Sequence, residues 1–166
     1  MFGEDILNKS AQIYIVDDDV YPRGRATDLQ RALNESGHRA QLAKRFSTLK
    51  QAFERRQINT EGLIVLDSTL DALVTGEPTV YFGNTVPYLL GQGFPAERIM
   101  PASADFENNQ LFFILLERLA GYVQKPLQES LMAGIGFDPE EEAKSVARYY
   151  ESLRFGLAEG RSNRLI

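Results

Sequence analysis

The sequence contains no cysteine, no tryptophan and a single histidine, His38. Without cysteine the chain can form neither a disulfide nor a thiolate site, so disulfide and thiol chemistry are excluded. His38 follows the helix-ending residue Gly37, and one histidine is too few to build a zinc site or to suggest histidine-based catalysis. Any chemistry of this chain therefore has to come from carboxylate, hydroxyl, amide and cationic side chains.

The chain also lacks a long apolar run and an excess of positive charge. Its longest apolar run, residues 111–116, has six residues, whereas a membrane-spanning helix needs about 20. The net charge is −5, and no basic stripe indicates a nucleic-acid surface. Arg23 and Arg25 form a small cluster that we interpret as part of a solvated helix face. Residues 1–10 do not resemble a signal peptide, so we predict a cytoplasmic protein without membrane contact.

Strand and helix signals alternate along the 166 residues, a length that suits one core of ordinary size plus a short appendage. Strand signals fall at residues 12–16, 39–43, 62–66, 79–82 and 98–100. Helix signals fall at residues 26–37, 48–56 (with Ser47 as N-cap), 86–91, 105–124 and from 139 onward, where Asp138 is the predicted cap. This alternation predicts an α/β fold, a flavodoxin-like, doubly wound parallel sheet of five strands. Only residues 70–75 could form the third helix, which is therefore shortened or missing, and a helical extension ends the chain.

Acidic residues follow the two strongest strand signals. Asp17, Asp18 and Asp19 come directly after residues 12–16, and Asp67 follows residues 62–66. Because right-handed crossovers bring parallel strand ends to one edge of the sheet, we expect Asp17, Asp18 and Asp67 to share one pocket. Clustered carboxylates repel one another unless a divalent cation neutralises them. The alternative is a structural role, in which Asp17–Asp19 cap the next helix and Asp67 makes an Asx-turn.

On these residues the chain resembles the receiver domain of bacterial response regulators over residues 10–125. In that family an acidic pair after the first strand binds magnesium, and an aspartate ending the third strand accepts a phosphoryl group from a histidine kinase. A Ser or Thr after the fourth strand and a Lys-Pro pair after the fifth contact the phosphate. The resemblance implies that Asp17 and Asp18 are ligands of Mg²⁺, the only cofactor it suggests, and that Asp67 is the phosphoacceptor.

The resemblance also shows departures from the family pattern. Met100 precedes Pro101 where the family has lysine, and Asn84, or Thr85 beside it, stands where the family has Ser or Thr. A phosphoryl group adds about two negative charges to the acidic pocket, and Met100 supplies no cation to offset them. We therefore predict an atypical receiver, a pseudo-receiver that regulates by protein–protein interaction or dimerisation, without enzyme activity and without normal phosphorylation switching.

Two alternatives remain open at this stage. One is a phosphorylatable receiver, with Asp67 as acceptor, magnesium on Asp17 and Asp18, and Asn84 or Thr85 in contact with the phosphate. The other is a flavodoxin-like module that binds a nucleotide or another small ligand. The turn after the first strand carries acids rather than a glycine-rich phosphate loop, which disfavours that alternative.

The end of the chain is predicted to be separate from the receiver-like part. Residues 126–166 form a helical extension and linker that would lead to an effector domain outside this sequence. The last helix either folds back on the body or takes part in a homodimer interface. The candidate interface residues on the last two predicted helices are Leu111, Leu115, Val146, Tyr150 and Leu153. The expected partners are a second copy, an effector domain or a histidine kinase.

Overall fold

The computed structural model describes residues 6–19, 24–67, 69–103, 123–124 and 138–154. The first half forms β1 (Ile13–Val16), α1 (Arg25–Glu35), β2 (Ala40–Ala43), α2 (Phe46–Glu54), β3 (Leu63–Asp67) and β4 (Thr69–Leu70). The second half forms α3 (Ala72–Thr75), β5 (Val80–Tyr81), α4 (Phe82–Gly91), β6 (Ile99–Ser103), β7 (Val123–Gln124) and α5 (Pro139–Arg154). None of the described helices is both long enough and apolar enough to cross a membrane.

A five-stranded parallel sheet forms the centre of the fold. Its strand order is β2-β1-β3-β6-β7, and every neighbouring pair is parallel. All four residues of β1 and all five of β3 are buried, as their near-continuous apolar sequences predict for strands covered on both faces. The predicted doubly wound, flavodoxin-like fold is confirmed.

The two faces of the sheet carry two separate cores. Tyr14 and Val16 of β1 pack in a core with apolar residues of α2 and α4. Ile13 and Ile15 pack in a second core with residues of α1 and α5. Successive side chains of a strand point to opposite faces, so β1 contributes to both cores. The helices therefore cover both faces and leave the carboxyl edge of the sheet for the acids.

The fourth and fifth strands of the sheet differ from the prediction. Residues 79–82 were predicted as the fourth strand, but β5 has two residues and pairs antiparallel with β4 in a separate ribbon. The fourth position in the sheet belongs to β6, and the fifth to β7. Val123 and Gln124 of β7 were predicted to end a helix that starts near residue 105; the rest of that segment, with Leu111 and Leu115, lies outside the described residues.

The crossover from β3 to β6 contains more helix than the sequence indicated. The predicted shortened third helix is present as the single turn α3, and the helix predicted over residues 86–91 starts four residues earlier, as α4. Helix α2 begins at Phe46 instead of after Ser47, which is not its N-cap. The reason is tertiary, because the Glu77 carboxylate accepts the Ser47 N–H (3.4 Å) and also bonds the Ser47 hydroxyl.

Helix α5 folds back on the body of the domain. Asp138 caps it as predicted, with its carboxylate 3.0 Å from the Glu140 N–H. Val146 is fully buried and Tyr150 is 5 % exposed, and both pack in the core that contains α1, with Leu153 at its margin. Of the two arrangements predicted for this helix, the structure shows the fold-back, because α1 of the same chain contacts the apolar stripe; a homodimer stays a prediction.

Tyr14 makes folding sensitive to high pH. Its hydroxyl donates to the Asn8 carbonyl (2.8 Å) and accepts from the Asn59 N–H (2.7 Å). Burial raises the pKa of Tyr14, an effect that the hydrogen bond from Asn59 partly opposes. Above about pH 10 the unfolded chain therefore loses this proton first, and the free energy of unfolding falls as pH rises.

We expect the free energy of unfolding of Tyr14→Phe to fall less steeply than that of the wild type as pH rises above about 10, measured by urea unfolding. Burial, with a smaller contribution from the charge of Glu54, also raises the pKa of Tyr88. Tyr88→Phe is therefore the comparison variant. A slope in Tyr14→Phe equal to that of the wild type would contradict the assignment to Tyr14.

Candidate functional site

The register of the sheet places the acids at one edge. Val16 pairs with Leu66, and Asp67 pairs with Ala102 on β6. Asp17 follows Val16 and continues the ladder, since its N–H donates to the Ala43 carbonyl at 3.0 Å. Asp17 and Asp67 thus lie in the same row, at the carboxyl ends of neighbouring strands.

Three of the predicted site residues come together at this edge. Asp17, Asp18 and Asp67 each offer one carboxylate oxygen, and these three oxygens lie within 4.8 Å of one another. Asp17 is 2 % exposed and Asp67 is 7 % exposed, while Asp18 is half-buried. The sequence prediction of a shared acidic pocket is thereby matched in the structure.

Asp19 has a different role from its two neighbours. Its carboxylate accepts the Arg25 N–H at 3.0 Å, and its carbonyl accepts the Ala26 N–H at 3.2 Å. These bonds satisfy amide groups at the start of α1, where Gly24 offers no side chain. The alternative interpretation, a cap for the following helix, therefore holds for Asp19. The Asp19 N–H in turn donates to Oδ1 of Asp17 at 2.9 Å.

A loop after β3 contacts the acidic cluster. Oδ2 of Asp18 accepts the Asp71 N–H at 2.7 Å, and the Asp71 carboxylate accepts the Leu73 N–H at 2.9 Å as the cap of α3. Asp18 therefore connects the end of β1 to the connection between β3 and α4.

A buried arginine joins the cluster to the last helix. Nη1 of Arg25 lies 3.2 Å from Oδ2 of Asp17, and Nη2 donates to both carboxylate oxygens of Glu142, with 2.7 Å to Oε2. All three side chains are almost fully buried. Arg25 was predicted to lie on a solvated helix face, and this is wrong. The charge of the buried acids accounts for the difference, because it holds the guanidinium inside.

Sequence reasoning missed both members of this ion pair. Glu142 lies in the first turn of α5 with two other acids, where the positive end of the helix favours negative charge. The position of Arg25 a few residues after an acidic strand end is a signal, although a weak one. Nothing in the sequence indicates that Glu142 reaches it across 117 positions.

The predicted phosphate-contacting residues do not end a strand of the sheet. Asn84 is exposed, and its side-chain oxygen accepts the Tyr81 N–H at 3.0 Å in the first turn of α4. Thr85 is buried inside α4, and its hydroxyl has no hydrogen-bond partner among the described residues. Both assignments depended on residues 79–82 being the fourth strand, and they are corrected.

Met100, predicted as the degenerate switch position, does not lie at the carboxyl edge of the sheet. It lies inside β6, paired with Val65, and is fully buried in the core next to α1 and α5. Asp67, at the carboxyl edge, pairs with Ala102. Met100 therefore lies two residues before that edge on the same strand. The physical reason for the misassignment is that β6 is the fourth strand of the sheet and not the fifth.

The strand order of the structure differs from the one on which the family pattern was placed in the sequence. The fourth strand ends at Ser103, which pairs with Gln124 one row beyond Asp67 and Ala102. After the fifth strand the sequence continues Lys125-Pro126, outside the described residues. The prediction of a pseudo-receiver was based on the positions of the hydroxyl residue and of the Lys-Pro pair in the strand order that the sequence suggested.

The acidic cluster suits a hard divalent cation in its donor chemistry. Carboxylate oxygens are ligands that magnesium prefers, and magnesium binds through one or two carboxylates while it keeps several waters or substrate oxygens. Asp17 and Asp18 can supply the carboxylates, since one oxygen of each lies at the shared edge with Asp67. The Asp67 carboxylate would then lie next to the cation without being needed as one of its two carboxylate ligands.

No protein-family model matches the sequence, and no curated protein matches it. Several solved structures do match the fold of this chain. A CheY-like response regulator receiver domain protein from Methanospirillum hungatei JF-1 is 17 % identical with a TM-score of 0.54, over 86 % of this chain and 96 % of that one. The apo receiver domain of nitrogen regulatory protein C is 15 % identical with a TM-score of 0.55, over 88 % and 98 %. The chain has the fold of a response regulator receiver domain.

Proposed function

We propose that this chain is a regulatory receiver domain of two-component signalling that accepts a phosphoryl group on Asp67, with Mg²⁺ held by Asp17 and Asp18. The observation that supports this most is the cluster of three carboxylate oxygens within 4.8 Å at the carboxyl edge of the sheet. In an open α/β sheet this edge is where working residues lie. The receiver fold adds the expectation of a signalling role, by analogy of fold.

The chemistry is a phosphoryl transfer. An Asp67 carboxylate oxygen forms the new P–O bond, while the bond between phosphorus and the leaving group breaks. With acetyl phosphate the leaving group is acetate; with a phosphohistidine of a kinase it is imidazole, which takes up a proton. The cation, when bound, offsets the charge on the transferring oxygens. Asp17 and Asp18 hold and orient it, and the burial of Asp67 keeps water away from its carboxylate.

Two residues can balance the charge and bonding of the phosphorylated state. The phosphoryl group adds about two negative charges, and in the sequence the cationic residue Lys125 follows β7. The hydroxyl residue Ser103 is the last residue of β6. Because these residues occupy the positions that the receiver pattern uses, we prefer the phosphorylatable receiver to the pseudo-receiver.

The atypical receiver remains the second candidate, and one observation favours it. Arg25 contacts Asp17 from inside the protein, at 3.2 Å, so part of the charge of the apo cluster is offset without a bound cation. In that case the domain acts by protein–protein contact alone. A kinase, an effector domain or a second copy would be the partner, as predicted from the sequence, and both candidates place the domain in the cytoplasm with those partners.

Phosphorylation of the purified chain distinguishes the two candidates. We expect incubation with acetyl phosphate and Mg²⁺ to add the mass of one phosphoryl group, measured by intact mass spectrometry. Asp67→Asn should abolish the gain, because it removes the nucleophilic oxygen. Asp28→Asn, an acid on α1 in an ion pair with Arg31, should leave it unchanged.

Beryllofluoride with Mg²⁺ gives a second measurement that does not depend on transfer kinetics. It should produce a saturable change in the amide NMR spectrum of the wild type that Asp67→Asn lacks. If neither reagent acts on the wild type in the presence of Mg²⁺, the phosphoacceptor function is excluded and the atypical receiver is favoured.

A further inference from the structure

We propose that Arg25 and Glu142 form a positioning pair for the acidic cluster, through which α5 sets the affinity of Asp17 and Asp18 for the divalent cation. This inference depends on the proposed function, because it assigns a role toward the cation of that site. Neither residue touches the reacting atoms, so they are positioning residues and act through Asp17.

The pair fixes the orientation of the Asp17 carboxylate. Oδ2 is held by Nη1 of Arg25 at 3.2 Å, and Oδ1 is held by the Asp19 N–H at 2.9 Å. A carboxylate bonded at both oxygens cannot rotate freely about its terminal torsion, so its remaining lone pairs keep a fixed direction. Such restraint of a ligand by its neighbours is a common way for proteins to tune metal affinity.

Glu142 determines how much positive charge Asp17 experiences. A divalent cation on Asp17 would lie close to the Arg25 guanidinium, and like charges repel. The Glu142 carboxylate contacts the same guanidinium and offsets this repulsion. Because the exposed fractions of these side chains are only a few per cent, water screens the interaction weakly. Loss of the Glu142 charge should therefore weaken cation binding although Glu142 is not a ligand.

A second ion pair between the same helices supplies a matched control. Nη1 of Arg31 on α1 lies 3.8 Å from Oε1 of Glu140 on α5, and both side chains are about half exposed, at 49 % and 57 %. Glu140→Gln removes the same charge from the same helix, two residues away. Solvent screens this exposed pair, so its loss should have little effect on the cluster.

The test is a magnesium titration of the full chain by calorimetry, at fixed ionic strength. We expect Glu142→Gln to bind Mg²⁺ about tenfold more weakly than the wild type, and Glu140→Gln to stay within about twofold. The double variant Arg25→Gln/Glu142→Gln should bind more tightly than Glu142→Gln alone, because it also removes the repelling cation while the Asp19 N–H still holds Oδ1 of Asp17. A merely structural role for the pair predicts the opposite order, since the second substitution would add damage.

Each outcome decides the proposal. Equal affinities for the two single variants, or a double variant weaker than Glu142→Gln, would overturn it while the proposed function stands. A wild type that does not bind Mg²⁺ would remove the cation site of the proposed function, and the positioning role with it. If circular dichroism shows that Glu142→Gln does not fold, Glu142→Asp replaces it, with Glu140→Asp as control. Glu142→Asp should then bind Mg²⁺ several-fold more weakly than its control, and equal affinities overturn the proposal.

Discussion

Replacing Arg25 with methionine should lower the free energy of unfolding by about 3–5 kcal/mol in the absence of Mg²⁺. Asp17 and Glu142 would then remain inside the protein without the guanidinium that lies between them. Two carboxylates that are 1–2 % exposed would repel each other in a medium that screens poorly. The measurement is urea unfolding followed by circular dichroism, with the m-value fitted for each variant.

Arg31→Met is the matched control for this prediction. Arg31 lies on the same helix and forms ion pairs with Asp28, Glu35 and Glu140, but it is about half exposed. Exposed pairs contribute about 0–1 kcal/mol each, so the loss should be small. The double variant Arg25→Met/Glu142→Met should recover part of the loss, because it replaces a broken pair by apolar contacts. If Arg25→Met and Arg31→Met lower the free energy of unfolding by similar amounts, burial does not make the Arg25 ion pairs more important for stability than the exposed ones.

The part of the site formed by β1 and β3 could be predicted from the sequence. Each strand is a continuous apolar run that ends abruptly in an aspartate, and this pattern is typical of a central parallel strand. Right-handed connections leave only one relative placement of the two strands. Strand type, approximate register and the meeting of Asp17 with Asp67 therefore follow from local sequence.

The later strands could not be predicted in the same way. The run of residues 79–82 is apolar, yet in the structure Tyr81 is 57 % exposed and β5 pairs only with β4. A two-residue strand such as β7 leaves too few positions for a periodic signal, so it was absorbed into a predicted helix. Because residues 79–82 were predicted as the fourth strand, β6 was counted as the fifth strand of the sheet. This strand count assigned the lysine position to Met100 and the hydroxyl position to Asn84.

The role of Arg25 depends on tertiary structure that local rules do not contain. An arginine at the start of a helix is usually solvated, and three glutamates in the first turn of α5 have a sufficient local explanation in the helix dipole. Only the packing of α5 against α1 brings Glu142 to the guanidinium. A search for charges that fall on the buried stripe of an amphipathic helix would have flagged Glu142, since Ala143 and Val146 on the same helix are buried too.

The fold-back of α5 makes Val146 the most informative apolar residue of the helix. It is fully buried in the core that α1, α5 and the sheet share. We expect Val146→Asp to lower the free energy of unfolding by about 4 kcal/mol, because it places a charge in that core without a partner and removes the packing of the valine. Urea unfolding at several protein concentrations is the measurement.

Arg148→Asp is the control, since Arg148 is exposed on the same helix and the substitution also adds an acid; its effect should stay within about 1 kcal/mol. The concentration series separates the two arrangements that the sequence allowed for α5. If Val146 were covered by a second copy, Val146→Asp would abolish a dimer, and the wild-type stability would rise with protein concentration. If α5 belongs to the same folded body as the sheet, the loss is the same at every concentration. In that case the receiver unit extends to at least Arg154 and does not end at residue 125.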